Sequence, residues 1–441
     1  MATRTWNGGH ASSNNWTEAA NWGGTAPVAG DDLVFAGTVR LSPNNNFAAD
    51  TSFNSITFSA GAGAFTLGGN RITLNGNIDN NDDTLQVIDL AIILSIRCGV
   101  HTTSGDITIN GIISSSGVRG IDKNGAYTLT LTADNTFTGY IWTVEGTLSV
   151  PKVADSNVAC PLGKQSGGSE DIIYLGDDAR TGTLKYTGAG HTTNRPWELY
   201  GVTGGGVIEQ AGGGLLKFTG TQTFTVDGAK TLTLKGSTAG TGEISSAIGN
   251  TGAGAIAVTK EGSGTWKLSG TNTYTGATTV SVGTLQITGS LAAGSAVSVA
   301  SGATLAGTGT VSGTVSISGG GIISPGVSSE ATLNTGALTL NGTSILTYDL
   351  GTTSDRIAVT GALTLDGTIN VTAVSGFRPI RYLILTYTGA LTNNTLAVGT
   401  MPSGYYATVS ASGGNVYLLV SAGEQHSTSR GVRRGVGRGV G

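Results

Sequence analysis

Lys260 to Ile287 reads K-E-G-S-G-T-W-K-L-S-G-T-N-T-Y-T-G-A-T-T-V-S-V-G-T-L-Q-I. Within it, Thr265-Trp266-Lys267-Leu268, Thr279 to Val282 and Thr284 to Ile287 alternate apolar with small polar residues, the pattern of a strand with one buried face. Gly270, Gly276 and Gly283 separate the runs, at points where the backbone must turn sharply before the next strand begins. The stretch therefore predicts short strands joined by tight corners.

The pattern occurs twice. Placing Asn135 on Asn272 gives an offset of 137 positions that holds without a gap from Lys123/Lys260 to Leu148/Leu285. Along it Asn135-Thr136-Phe137-Thr138-Gly139 meets Asn272-Thr273-Tyr274-Thr275-Gly276, and Gly146-Thr147-Leu148 meets Gly283-Thr284-Leu285. Ungapped self-similarity of this kind marks a repeat protein, in which each unit buries its apolar face against the next.

The run L-S-G-x-N-T-Y-T-G-x-T-T-V-x-x-G-T-L-x-I resembles the autotransporter-associated β-strand repeat of secreted bacterial passenger proteins. The likeness extends to Thr5-Trp6-Asn7-Gly8-Gly9, Asn15-Trp16 and Ala19-Ala20-Asn21-Trp22. It also takes in Gly302 to Gly309 and Ser354-Asp355-Arg356, so it covers nearly all of residues 5–420. It implies an all-β, right-handed parallel β-helix, a scaffold shared without a common catalytic motif.

Composition agrees with a rigid β protein. Charged residues make up 11% of the 441, too few for a disordered chain, and the 73 glycines lack the third-position period of collagen. A net charge of −4 gives no general nucleic-acid footprint. Residues 1–36 are expected to cap the first turn with Trp6, Trp16 and Trp22, a sugar-stacking role for these rings being the alternative; Asn15 to Trp22 is the one stretch that could make a helical turn. Residues 37–346 would form the helix proper, with repeat copies at 123–148 and 260–285. Residues 347–421 would close it, and 422–441 would be a Gly/Arg-rich tail. At 20–25 residues per turn, roughly 16–20 turns would make a rod of about 80–95 Å. The run Val87 to Ile96 suggests a strand buried on both faces or covered by a neighbouring subunit.

No catalytic spacing stands out, and no catalytic residue, metal or cofactor is expected. Asp79, Asp82 and Asp83 lie in an oxygen-rich stretch that could hold Ca²⁺ but lacks the glycine and terminal glutamate of an EF-hand loop; a turn between strands is the favoured reading. The less regular segment 155–210 holds Asp177 and Asp178, with Arg180 and Glu198, as the best candidates for a glycan-cleaving acid pair. Asp177, Asp178 and Trp197 are alternatively a glycan or partner contact. His10, His101, His191 and His426 are scattered, and Cys98 and Cys160 read as two buried thiols more readily than as a disulfide. Arg430, Arg433, Arg434 and Arg438 would make the tail either a solvated end or an arm docking on an acidic partner.

After Met1 there is no basic, apolar leader, and the longest apolar run is too short to cross a bilayer. The expected function is that of a non-catalytic rod displayed on a cell surface or extracellular assembly, for adhesion or coat formation. Its expected partners are copies of itself, neighbouring structural proteins or a surface glycan, with no specific nucleic acid. The alternative is a virion appendage such as a tail fibre, spike or capsid-associated protein, and a less favoured one is a polysaccharide-degrading β-helix enzyme.

Overall fold

A computed structural model describes residues 2–165, 167–223, 225–236, 240–326 and 331–423. Among them the strands stack into five sheets of nine, four, sixteen, ten and seven strands, and pairing is parallel everywhere except at the C-terminal end. The chain is a parallel β-solenoid. Early turns visit three faces in sequence, as in Ser55–Phe58, Thr66–Gly69 and Ile72–Leu74, before returning one level up. Ile56 pairs with Ile78, and Ile78 with Val100, so a turn there takes 22 residues.

Alternation along each strand decides what is buried. In Ile107–Ile109, Thr265–Leu268 and Ile345–Leu350 every second side chain is buried, and these inward residues form one continuous core running the length of the stack. Trp22 packs edge to face with Trp6, Trp16 and Phe35, Trp6 and Trp16 meet Phe35 at a tilt, and all three tryptophans are buried. They are core rather than sugar platforms. The first strand, Thr3–Trp6, already pairs in parallel with Asp32–Phe35, so the opening segment both covers the core and begins the stack. The expected helical turn is a short 3₁₀ segment, Ala19–Trp22, preceded by Glu18 and capped by no side chain, and it is not the one helical turn: Gly168–Asp171 forms a second 3₁₀ segment.

The repeat is a device for turning corners. Lys123 and Lys260 are fully buried. The Lys123 ammonium donates to the carbonyls of Asn124, Gly125 and Glu145 at 3.2, 2.6 and 2.8 Å; Lys260 donates to Glu261, Gly262 and Val282 at 2.8, 2.6 and 3.0 Å. Three N–H donors thus meet three corner carbonyls drawn from two successive turns. Burial pushes both ammonium groups down to about 8, and nearby carboxylates oppose the shift. Asn135 and Asn272 act alike: each Oδ1 accepts the amide of an isoleucine one level below, Ile113 or Ile248, and each Nδ2 donates to backbone carbonyls. Gly125 and Gly262 hold positive φ, and a Cβ there would lie 2.4 Å from the Thr102 oxygen or 2.3 Å from that of Gly236. Only glycine fits such a close approach of stacked corners.

The two copies lie on different faces. In the first, Ile121–Asn124 belongs to the nine-stranded sheet and Thr128–Leu131 to the sixteen-stranded one. In the second, Ile256–Lys260 belongs to the sixteen-stranded sheet and Thr265–Leu268 to the ten-stranded one. The repeat keeps its internal shape but is displaced by one face around the axis.

Two expectations change. Val87 to Ile96 is not one doubly buried strand: Gln86–Ile88 and Ile92–Leu94 lie on adjacent faces of a corner, each buries alternate residues, and Ile96 is exposed. The longest sheet has 16 strands, which at about 4.8 Å each gives roughly 70 Å, shorter than expected because some turns are long. Trp197, for example, pairs with Ile173, and Ile173 with Ile141, 32 positions earlier. At the C-terminal end, Asn415–Ala422 runs antiparallel to both Arg381–Tyr387 and Tyr405–Ser412, and this hairpin finishes the last sheet.

Replacing Lys260 by Met keeps most of the buried volume but leaves three carbonyls without their donor. Stability should fall by about 3 kcal/mol, read as an earlier denaturant midpoint, and Lys123→Met should behave alike. A loss below about 0.5 kcal/mol would show that the corner carbonyls do not depend on the ammonium.

Candidate functional site

Outward positions on the nine-stranded sheet build an aromatic hollow. Register places Asp122 beside Trp142, Trp142 beside Tyr174 and Tyr174 beside Glu198 on successive levels. Tyr140, two residues before Trp142 and so on the same outer face, and Tyr200, two after Glu198, extend the patch sideways. Arg97, just before Cys98–Thr102, reaches up from below. Arg97, Tyr140, Trp142, Tyr174 and Tyr200 line a hollow of about 230 Å³.

The rings hold one another in place. Trp142 meets Tyr200 edge to face at 4.8 Å between centroids, and Tyr174 meets both Tyr140 and Tyr200 at 5.3 Å. Such pairs are worth about 0.5–1.5 kcal/mol each beyond their burial. The Trp142 indole N–H donates to the Gly176 carbonyl on the next level at 2.7 Å, which fixes the ring plane. Arg97 places its guanidinium 4.6 Å from the Tyr140 centroid and 5.2 Å from that of Trp142, and its Nη2 lies 2.5 Å from Asp122 Oδ1. The hollow therefore contains its own cation, stacked on aromatic faces and neutralised by a half-buried carboxylate.

Burial shifts the groups that line it. The Tyr174 hydroxyl is pushed up to about 12, first by burial and then by the Glu198 carboxylate. Burial also raises Tyr140, and it raises Asp122 despite the neighbouring Arg97, which pulls the other way. Tyr140 and Tyr174 are thereby held protonated near neutrality, as hydrogen-bonding hydroxyls set on apolar rings.

The residues singled out from sequence are dispersed. Asp177 is paired with Arg180 at 2.5 Å across a tight turn, and Asp178 sits exposed at its tip with φ of 45°. Glu198 is fully buried and accepts from the amide and hydroxyl of Thr225 at 2.6 and 2.7 Å. It does not join the two aspartates at a common open surface. Trp197 is fully buried with its ring in the core, so it has no face to offer a glycan. Arg195, also in this segment, is buried and donates to the carbonyls of Leu162 and Gly163, which clasps the long loop onto the stack.

Asp79 pairs with His101 at 2.5 Å, and Asp82 is buried and accepts from Thr84, while Asp83 points outward. Among the described residues no three His, Cys, Asp or Glu side chains converge as metal ligands. Cys98 and Cys160 are both buried and free. His10 lies 3.7 Å from Glu18, and the His191 ring nitrogen lies 2.6 Å from the Tyr186 hydroxyl. No helix among the described residues is long and apolar enough to cross a membrane. Arg430, Arg433, Arg434, Arg438 and His426 lie outside the described residues. The aromatic hollow itself was missed. Its one sequence signal is aromatic residues at outward strand positions, Tyr140, Trp142, Tyr174 and Tyr200, in a chain with only 6% aromatics.

Residues 121–150 and 258–287 match the family described as the passenger-associated-transport-repeat, and these spans contain the two corner units above. A stretch of 158 residues, 34% of the chain, is 30% identical to the adhesin BmaC autotransporter of Brucella suis biovar 1 (strain 1330). The match spans 4% of that relative's length. The chain is thus a parallel β-solenoid that carries two passenger-associated-transport-repeats.

The Asp79 carboxylate beside His101 favours the imidazolium and raises its pKa above the usual 6.5, although burial pulls the other way. The pair's contribution to stability is then complete below pH 6.5 and fades as pH rises through the raised value. NMR titration should place His101 above the ordinary range, and Asp79→Asn should remove the rise. An unshifted His101 in the native chain would contradict the pairing.

Proposed function

We propose that the chain is a non-catalytic segment of a surface-displayed β-solenoid whose role is adhesive. The observation that carries this reading is the pair of passenger-type repeats, which turn the corners of an unbroken stack. The resemblance of a third of the chain to an adhesin autotransporter supports it. A solenoid of this kind is stiff along its axis because each level is hydrogen-bonded to the levels above and below, so it projects surface sites away from their base. The non-catalytic part of the reading is consistent with where the acidic candidates sit: Glu198 is sealed by Thr225, and Asp177 is engaged by Arg180.

The test is to display the full chain on a non-adherent bacterium, fused to a heterologous translocator, and to count bacteria retained on cultured epithelial cells and on a matrix-coated surface. Retention several-fold above the translocator alone on either substrate is the expected result. Retention equal to the control on both would overturn the adhesive role.

A further inference from the structure

The aromatic hollow on the nine-stranded sheet has the chemistry of a ligand site and no structural need to be there. The core of those levels is complete without it: Ile121, Ile141, Ile173 and Leu199 fill the interior beneath the outer-face rings. Outer positions elsewhere on the solenoid are mostly small and polar, as at Ser298, Ser316 and Thr339, stacked on three successive levels of the longest sheet. Four large aromatics gathered at 4.8–6.4 Å on one exposed face, with a fixed ion pair at the edge, depart from that pattern.

We propose that this hollow, lined by Arg97, Tyr140, Trp142, Tyr174 and Tyr200 and edged by Asp122, is a carbohydrate-binding subsite that takes a neutral pyranose ring. A sugar ring is amphipathic, with C–H groups on its faces and hydroxyls around its rim. The hollow is its complement: ring faces for the C–H groups, and tyrosine hydroxyls, a guanidinium and a carboxylate for the rim. The charge balance argues against a cationic ligand. A quaternary ammonium would be repelled by the like charge of the Arg97 guanidinium, which sits against one face each of Tyr140 and Trp142, and Asp122, its natural counter-charge, is already neutralised by Arg97. An anionic ligand would have to compete with Asp122 for the same guanidinium. A neutral polyhydroxylated ligand needs neither exchange.

The levels of the stack are about 4.8 Å apart, so the hollow spans two intervals from the Trp142 level to the Tyr200 level. It is thus longer along the axis than one ring is thick. The site is preorganised, since the Trp142–Gly176 hydrogen bond and the edge-to-face contacts hold the rings before any ligand arrives. The proposal deepens the adhesive reading and rests on it for where the sugar is met; binding itself does not.

Five of the six tryptophans are buried, and Trp142 is the half-exposed one, so a ligand-dependent change in fluorescence reports this site. The full chain is titrated with methyl glycosides of glucose, galactose, mannose and N-acetylglucosamine and with their β-linked disaccharides, at millimolar concentration. Saturation-transfer NMR on the same sugars is the second readout. At least one sugar should perturb Trp142 emission and receive saturation. Trp142→Ala and Tyr200→Ala should weaken binding about tenfold or more, the loss of at least one stacking contact. Tyr174→Phe, which keeps the ring and removes one hydroxyl, should weaken it less.

Tetramethylammonium chloride and a proline-rich decapeptide serve as competing probes. Response to either of them without response to any sugar would overturn the proposal, and so would silence toward every probe. Sugar binding unchanged in a folded Trp142→Ala variant would overturn it too. Retention of displayed bacteria without sugar binding would remove this site and leave the adhesive rod standing; sugar binding without retention would do the reverse.

Discussion

Every corner of a solenoid must bury backbone carbonyls and amides that no strand can pair, and the fold depends on how they are satisfied. Strand pairing takes care of itself once parallel levels are in register, but corners break the ladder at each change of face. In this chain the repeat supplies the missing partners from side chains. One lysine gathers three carbonyls from two levels, and one asparagine joins the backbone of adjacent levels. These are expensive residues to bury, and they are tolerated because each polar atom in them has a partner. The glycines of the motif complete the device by letting stacked corners approach to distances that exclude a Cβ.

This explains how much of the fold was legible. The ungapped offset between Lys123 and Lys260 was visible because corner chemistry is local: the lysine, the glycine two residues on and the asparagine twelve residues on must keep their spacing for the geometry to close. Strand alternation was legible for the same reason. The division of Val87 to Ile96 into two strands was not, because an apolar residue facing the core from one face or from the next looks the same in sequence. The hollow was least legible. Asp122, Trp142, Tyr174 and Glu198 are neighbours on successive levels, yet they are separated by 20, 32 and 24 positions, since turn length varies with the loops. A column that crosses turns of unequal length leaves no period to find.

The irregular segment between the repeat copies stands out in sequence for Asp177, Asp178, Arg180, Trp197 and Glu198, and it also holds Arg195. The structure gives several of them work inside the stack. Arg195 clasps a loop, Trp197 fills the core and Glu198 receives Thr225. The same region is where the nine-stranded sheet ends, at Trp197–Leu199, and where the ten-stranded sheet begins, at His191–Thr193. A change of cross-section brings unpaired backbone and new packing partners, so unusual residues are needed there for structural reasons.

The displacement of the repeat by one face also governs valency. In the second copy the counterparts of Tyr140 and Trp142 are Ala277 and Thr279, and they point from a different side of the rod. Duplicating the corner unit has therefore lengthened the shaft without duplicating its aromatic surface along one line. Within the described residues, a ligand array that engaged several such surfaces at once would draw them from separate copies of this segment, so strength of attachment would scale with how densely the copies are displayed.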